Sequence, residues 1–561
     1  PLYGSVQGTG TVTTPRIDLL WLGSTECPEW GLGAVESCRA EPSAVAAAVD
    51  GLVEKGRSEA ILMWDSELES PDPEKISRAV ERPGDLWHAG LALGMGGLPG
   101  LLDYVSPTWM LSADPSIERE ATSWRVSLRA CMIRSEVVRQ LGGPEGDFDS
   151  IAGSSLELGA RYARWGALPR HLPWLLEDRQ RIDPQALPIE DEVRFLARRV
   201  GKFWSRWALT GALVDRHITP GAFLRLLSLT NLSKSRGQQR RHLTRTPSSG
   251  DGESGSVSVL IPTLNRYEYL ETLLGQIAKQ TVQPSQVIVV DQTAPERRRS
   301  DPRIEHLDLP LEVMFREEPG QCSSRNAGLQ AATGDYILFL DDDVEISEDL
   351  IESHLMTLAA FGADVSSGVA EEVGAGPLPS EFEVLRVSDV FPTNNTLVRR
   401  SALDRSGLFD LAYEHGARAD GDLGMRVYLS GALMVLNPEI RVLHHHAPVG
   451  GLRSHRARAV TYASSRSRLL QRHLPAVTEI YLARRYFSYR QVRESLLLRV
   501  LGTLSVRGGW WKKLAKFCLG AMLLPHTLLV IHWRYRAATR VLDGYPQIPD
   551  LQDRAAGGAT Q

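Results

Sequence analysis

Apolar residues in this chain gather into short unbroken runs, separated by stretches of helical spacing. The runs at 257–261 (VSVLI), 287–290 (VIVV) and 336–340 (YILFL) read as strands buried on both faces. Between the first two, residues 267–280 carry leucines at helical intervals. Strands alternating with helices predict a mostly parallel sheet covered on both faces, and such sheets bind ligands beyond the carboxyl ends of their strands. Upstream, Val193, Phe195, Leu196, Val200, Phe203, Trp204 and Trp207 recur at helical spacing and predict a helical connector over 186–232. Residues 233–255, SKSRGQQRRHLTRTPSSGDGESG, offer almost nothing to bury and predict a solvated linker.

A chain of 561 residues is too long for one core, which predicts two or three domains. With 43% hydrophobic and 23% charged residues it reads as an ordinary folded protein, and its net charge of -5 gives no global reason to bind nucleic acid. Five scattered cysteines (Cys27, Cys38, Cys131, Cys322, Cys518) form no CxxC pair. They argue against a zinc site or disulfide framework and fit a reducing compartment. No secretory signal pattern is visible in a chain that begins at Pro1.

Four polar groups stand where the sheet should bind. PTLNR at 262–266 follows the first strand, DQT at 291–293 the second and DDD at 341–343 the third, while ADGD at 419–422 opens a helix-like segment. Three successive aspartates after an apolar strand are costly unless something positive neutralises them. A divalent cation bridging a diphosphate would do so, since hard oxygen ligands suit magnesium or manganese. A solvated acidic turn is the plainer alternative.

This half resembles glycosyltransferase family 2, whose domain has the GT-A fold. The resemblance lies in SVLIPTLNRYEYLETLLGQI (258–277), VIVVDQTAP (287–295) and SSRNAGLQAATGDYILFLDDDV (323–344). It continues through NNTLVRRSALDRSGLFD (394–410) and ADGDLGMRVYLSGA (419–432). It implies that Pro262, Thr263 and Asp291 line a nucleotide-base pocket, with Arg325 and Asn326 near the ribose or sugar. Asp341 would touch the ribose, Asp342 would share in donor binding, and Asp343 would hold the cation, Mn2+ or Mg2+. Asp420 would be the general base that deprotonates an acceptor hydroxyl in an inverting transfer. The chain departs from the family's acidic pair here, with Ala419 before Asp420. Asp422 is the runner-up base. In the family a histidine after the last strand often completes the metal shell. HHH at 444–446 offers His444 as that ligand, and a persisting strand would put His444 and His446 on one face with His445 opposite.

The first half carries a fainter copy of the same pattern. AILMWDSE at 60–67 resembles YILFLDDD at 336–343, and SSLELGARYARWGA at 154–167 resembles ADGDLGMRVYLSGA at 419–432. A second domain of the same fold is therefore expected over about 16–176. Ser155 stands in the place of Asp420 and Glu67 in that of Asp343. Its first strand lies 48 residues before its acidic turn (Ile17 to Asp65), against 84 in the second copy (Val257 to Asp341). A degenerate, inactive copy is expected, with scaffolding, acceptor binding or self-association into a homo-oligomer as its uses.

From Arg453 to Lys513 there are fourteen Lys/Arg against Glu479 and Glu494, a local charge of +12. The apolar run 517–531 that follows has fifteen residues, short of the ~20 that span a bilayer, and Pro525 interrupts it. An interfacial segment at an anionic membrane, or a helix packed under the catalytic domain, would explain it. No recognised nucleic-acid module accompanies the charge.

The expected architecture is α/β, with two GT-A-like (Rossmann-type mixed sheet) domains in tandem and a helical C-terminal region. The boundaries are 1–185, 186–232 (connector), 233–255 (linker), 256–451 (catalytic), 452–545 (basic, helical) and 546–561 (tail). The expected activity is transfer of a sugar from a nucleoside diphosphate sugar donor to a glycan or lipid-linked acceptor, at the cytoplasmic face of the cell membrane. A sugar nucleotidylyltransferase would need a Gly-rich, Lys/Arg-bearing loop after the first strand, where PTLN stands instead. A non-catalytic nucleotide-sugar- or glycan-binding scaffold is the other alternative.

Overall fold

The computed structural model describes residues 15–97, 100–105, 110–176, 187–231, 242–245, 254–299, 308–374, 376–447, 469–546 and 548–551. Two mixed sheets follow one another along the chain. The first contains β1 (Ile17–Leu22), β2 (Val35–Cys38), β3 (Ala60–Asp65), β4 (Leu86–His88), β5 (Ala121–Thr122), β6 (Ala130–Arg134) and β7 (Pro169–His171), in the order β2-β1-β3-β6-β4-β7-β5. The second contains β8 (Val257–Thr263), β9 (Gln286–Asp291), β10 (Leu311–Phe315), β11 (Tyr336–Phe339), β12 (Val344–Ile346), β13 (Val365–Glu372), β14 (Arg386–Val387), β15 (Thr396–Arg399) and β16 (Met434–His444). Its order is β10-β9-β8-β11-β15-β13-β16-β12, with β14 also on β16.

The unbroken apolar runs have a direct cause. Leu260, Ile288, Val290, Ile337 and Phe339 enter one core, while their neighbours Val259, Ile261, Val287, Val289 and Leu338 enter another on the opposite face. Side chains alternate across a strand, so a sheet covered on both faces needs apolar residues at every position.

The two sheets repeat one plan. In each, a run of parallel strands (three in the first sheet, four in the second) meets an antiparallel one (β3 to β6, β11 to β15), then a further antiparallel and a parallel neighbour. The side-chain fastenings repeat too. On helix Ile151–Arg164, Arg161 pairs with Glu157 and donates to the Leu141, Gly142 and Gly143 carbonyls. On helix Ala419–Leu429, Arg426 pairs with Asp422 and donates to the Ser406, Gly407 and Leu408 carbonyls. Asp85 accepts from the Leu168 amide as Asp364 accepts from the Leu433 amide.

The shortening of the first copy is equally specific. It has no counterpart of helix Tyr267–Ile277 or of edge strand β10 among the described residues. After β3, Asp65 is buried and bonded to the Arg129 guanidinium, which also reaches Glu67 at 3.1 Å. A fixed guanidinium thus supplies the positive charge at this turn. Replacing Asp65 with Ala is expected to cost about 3–5 kcal/mol of stability by stranding buried Arg129. Turnover by the folded fraction should stay within about a few-fold of the parent. Denaturant unfolding together with sugar-transfer assays checks both, and a loss of turnover beyond the loss of fold would make this copy a working site.

Two expected boundaries need correction. Residues 242–245 are not solvated linker, because Leu243 is buried beside Trp165 and Arg245 pairs with Asp85, which has no exposed surface. The remainder of that stretch, 233–241 and 246–253, lies outside the described residues. The C-terminal helices are not a separate appendage either. Ile480, Tyr481 and Leu482 of helix Val477–Tyr486, Ala538 of helix Leu524–Asp543 and Leu551 all sit in the core of the second domain. The basic residues 453–468 and the tail beyond 551 lie outside the described residues.

Candidate active site

The carboxyl ends of β8, β9 and β11 lie side by side. Pro262 is the register partner of Val290, and Thr263 that of Asp291, which brings the three base-pocket candidates together. Asp291 accepts from Tyr267 Oη at 2.6 Å and from the Thr293 amide at 2.8 Å. Asn265 takes a left-handed backbone (φ 57°) in the turn that follows β8, and its amide donates to Thr293 Oγ1.

The acidic turn after β11 is more buried than a solvated turn would be. Asp342 and Asp343 retain 3% and 2% exposure, and cationic side chains from elsewhere in the fold surround the triplet. Arg266 Nη1 lies 2.9 Å from Asp342 and 3.1 Å from Asp343, and Arg325 Nη2 donates to Asp341 at 3.0 Å. Burial pushes the Asp342 carboxyl up to about 6 despite Arg266. Burial would push Asp343 up as well, but His444, Arg266 and the Ala447 amide outweigh it and hold the carboxyl at about 2.

His444 arrives by strand register. It pairs with Val344 of β12, the residue after Asp343, and with Glu372 of β13. Its Nε2 lies 3.4 Å from Asp343 Oδ1 and its Nδ1 lies 3.4 Å from Glu372 Oε1. Burial lowers the imidazole's pKa, yet the hydrogen bond to Asp343 and the charges of Asp341, Asp343 and Glu372 raise it to about 9. Ligand atoms of Asp341, Asp343 and His444 all come within 4.8 Å of one another, as do those of Glu372, His444 and His446. Two carboxylates and an imidazole on strand ends form a donor set that fits a divalent cation. Glu372, on the far side of the ring, can fix its orientation as outer carboxylates do for metal-bound histidines. His445, just past the end of the strand, turns the other way, to Glu345 and the Tyr269 ring.

Two of the side chains expected to bind donor are engaged within the protein. Asn326 gives its amide to the Phe409 carbonyl and takes the Phe409 N–H, both at 2.8 Å, so it fastens the loop before helix Ala419–Leu429. Asp342 accepts from Thr263 Oγ1 at 2.8 Å and from Arg266, so it braces the turn instead of facing a ligand. The sequence assigned no role to Arg266, Glu372 or Glu414. Glu414 takes the Cys322 and Ser323 amides at 2.7 and 3.0 Å, capping helix Gln321–Ala331, which carries Arg325. Gly320 makes room for it, since a Cβ there would stand 1.8 Å from the Glu414 carboxylate.

Asp420 occupies the first turn of helix Ala419–Leu429, exposed and without a hydrogen bond or ion pair among the described residues. Asp422, the runner-up base, has no exposed surface. It is tied to Arg426 at 3.0 Å, Arg485 at 2.6 Å and Tyr486 at 2.9 Å. Arg485 also holds Asp410 at 2.9 Å, so one buried guanidinium fastens both ends of the segment that carries Asp420. Asp422 is a structural anchor.

With sheet, acidic turn and histidine located, comparison with known proteins relates this part of the chain to a family. Residues 258–403 match the family described as Glycosyl transferase family 2, and this part of the chain belongs to it. The chain is similar to the uncharacterized glycosyltransferase YwdF of Bacillus subtilis (strain 168), at 28% identity over 169 residues, covering 28% of this chain and 62% of YwdF. It is similar also to the amylovoran biosynthesis glycosyltransferase AmsB of Erwinia amylovora, at 32% identity over 105 residues, covering 18% of this chain and 35% of AmsB. The match thus spans about three fifths of the first relative and about a third of the second. Among solved structures, the mannosyltransferase PcManGT from Pyrobaculum calidifontis, in complex with GDP-Man and Mn2+, aligns with a TM-score of 0.34 and 18% identity. That alignment covers 54% of this chain and 92% of PcManGT.

Proposed function

We propose that the second domain is an inverting glycosyltransferase that moves a sugar from a nucleoside diphosphate donor to a glycan or lipid-linked acceptor in cell-surface polysaccharide or glycoconjugate synthesis. The convergence of Asp341, Asp343 and His444 at the strand ends that carry Thr263 and Asp291 supports it best, because a candidate cation site then stands at the end of the sheet where such folds bind ligands. A divalent cation held there would neutralise the negative charge that develops on the leaving diphosphate. Arg325, anchored on Asp341, adds positive charge on the same side. The acceptor oxygen attacks the anomeric carbon from the face opposite the diphosphate, its proton passes to the Asp420 carboxylate, and the anomeric carbon–oxygen bond to the diphosphate breaks.

Exposure, with no hydrogen bond or ion pair among the described residues, leaves the Asp420 carboxylate available for that proton, whereas Asp422 is spent on arginines. A scaffold that binds nucleotide sugars without transfer would share the cation site but have no use for a general base. The decisive measurement is a thermal-shift and hydrolysis screen of nucleoside diphosphate sugars with and without manganese. One donor should raise the melting temperature only with the cation and be slowly hydrolysed. Binding without hydrolysis or transfer to any acceptor would favour the scaffold.

A further inference from the structure

Two helices near the end of the chain are built inside out. Helix Trp510–Met522 turns Trp510, Leu514, Phe517 and Ala521 outward, and helix Leu524–Asp543 does the same with Pro525, Leu528, Leu529 and Trp533. Both sets recur at three- and four-residue spacing, so each forms one continuous stripe. The inward face, by contrast, holds Lys516, Gly520, Thr527, Ile531 and Ala538. Lys516 is 2% exposed and its Nζ donates to the Leu469 and Gln471 carbonyls at 2.8 and 2.5 Å. Phe517, Met522 and Trp533 keep 54%, 70% and 67% of their surface exposed. Charge inward and apolar surface outward is the reverse of what water selects.

The flanks identify the partner. Between Glu494 and Asp543 there is no acidic residue, whereas Arg499, Arg507, Lys512, Lys513, Lys516, Arg534, Arg536 and Arg540 fall in that stretch. Trp510 and Trp511 stand at one shoulder beside exposed Lys512 and Lys513, and Trp533 at the other near exposed Arg536. Among the described residues no single helix is long and apolar enough to cross a membrane, and the two helices are bent by 61° at their junction.

We propose that this elbow is a monotopic anchor for an anionic lipid bilayer, with its tip (Met522 to Leu529) in the acyl boundary. The three tryptophans lie at headgroup level, and Lys512, Lys513 and Arg536 meet lipid phosphates. A second copy of the chain is the poorer partner, because symmetric pairing would set cation against cation with no acid in the stripe. The anchor is mechanically continuous with the active site. Arg484 of helix Val477–Tyr486 lies over the Tyr535 ring at 4.7 Å, and the adjacent Arg485 holds Asp410 and Asp422 beside Asp420.

The test needs no turnover, so it stands apart from the sugar-transfer reading. The full chain is mixed with phosphatidylcholine vesicles with and without phosphatidylglycerol, and partitioning is measured by co-sedimentation. The parent should bind the anionic vesicles, more weakly as salt rises. F517E/L529E should lose at least about tenfold in partitioning, since two apolar side chains no longer enter the boundary. Its melting temperature should stay at the parent's value, because both positions are exposed. K512Q/K513Q should lose the preference for phosphatidylglycerol while keeping residual binding. No binding by the parent, or equal binding by F517E/L529E, would overturn the anchor. So would a parent dimer, seen by light scattering without lipid, that F517E/L529E dissociates.

Discussion

Exchanging Asp420 for Asn is expected to lower kcat by about 10²–10⁴-fold while donor affinity changes by less than about twofold. The amide keeps the shape of the carboxylate and removes only its capacity to take the acceptor proton. Asp420 is exposed and makes no hydrogen bond or ion pair among the described residues, so melting temperature should not move. Steady-state kinetics with saturating donor, paired with calorimetric donor titration, separates the two effects. Equal losses of affinity and turnover would make Asp420 a binding residue. Retained turnover would move the base elsewhere, and not to Asp422. That residue is enclosed by Arg426, Arg485, Tyr413 and Tyr486, and its own Asn substitution should show first as a loss of stability.

The second large effect is expected at the cation site. Asp343→Asn should weaken manganese binding by at least about a hundredfold and abolish manganese-dependent donor binding, because the charged oxygen nearest His444 is removed. The exchange retains an oxygen that can accept from the Ala447 amide. Arg266 keeps its second partner in Asp342 at 2.9 Å, so the turn should persist and far-UV circular dichroism should match the parent. Manganese titration followed by paramagnetic resonance reads the affinity directly. A variant that binds manganese and donor like the parent would remove the acidic turn from the site.

The site was only partly legible beforehand, and particular residues show why. Strand alternation would have put His444 and His446 on one face, but β16 ends at His444 and His446 takes a left-handed backbone (φ 51°), so the 4.2 Å approach of their rings is set by the turn that follows the strand. Glu372 could not be found that way. It reaches His444 because β13 and β16 are parallel neighbours in a register that pairs residues 372 and 444. Asn326 and Asp342 sit within matching motifs yet turn to Phe409 and Thr263, a choice set by which partner is nearer once the helix and turn are packed.

By itself the sequence determined the strands, their burial on both faces and the polar groups at their ends. These follow from local period and from the cost of exposing apolar runs to water. Tertiary structure alone decided how the acidic turn is neutralised. Arg266 and Arg325 face it in the second domain and Arg129 takes that place in the first, through contacts between residues far apart in the chain. It decided too that Asp422 is buried and Asp420 exposed, although they stand two positions apart on one helix. A helix turns by about 100° per residue, so two positions separate a face packed against Arg485 from one open to solvent. Periodicity names the faces of such a helix, and only packing says which of them is covered.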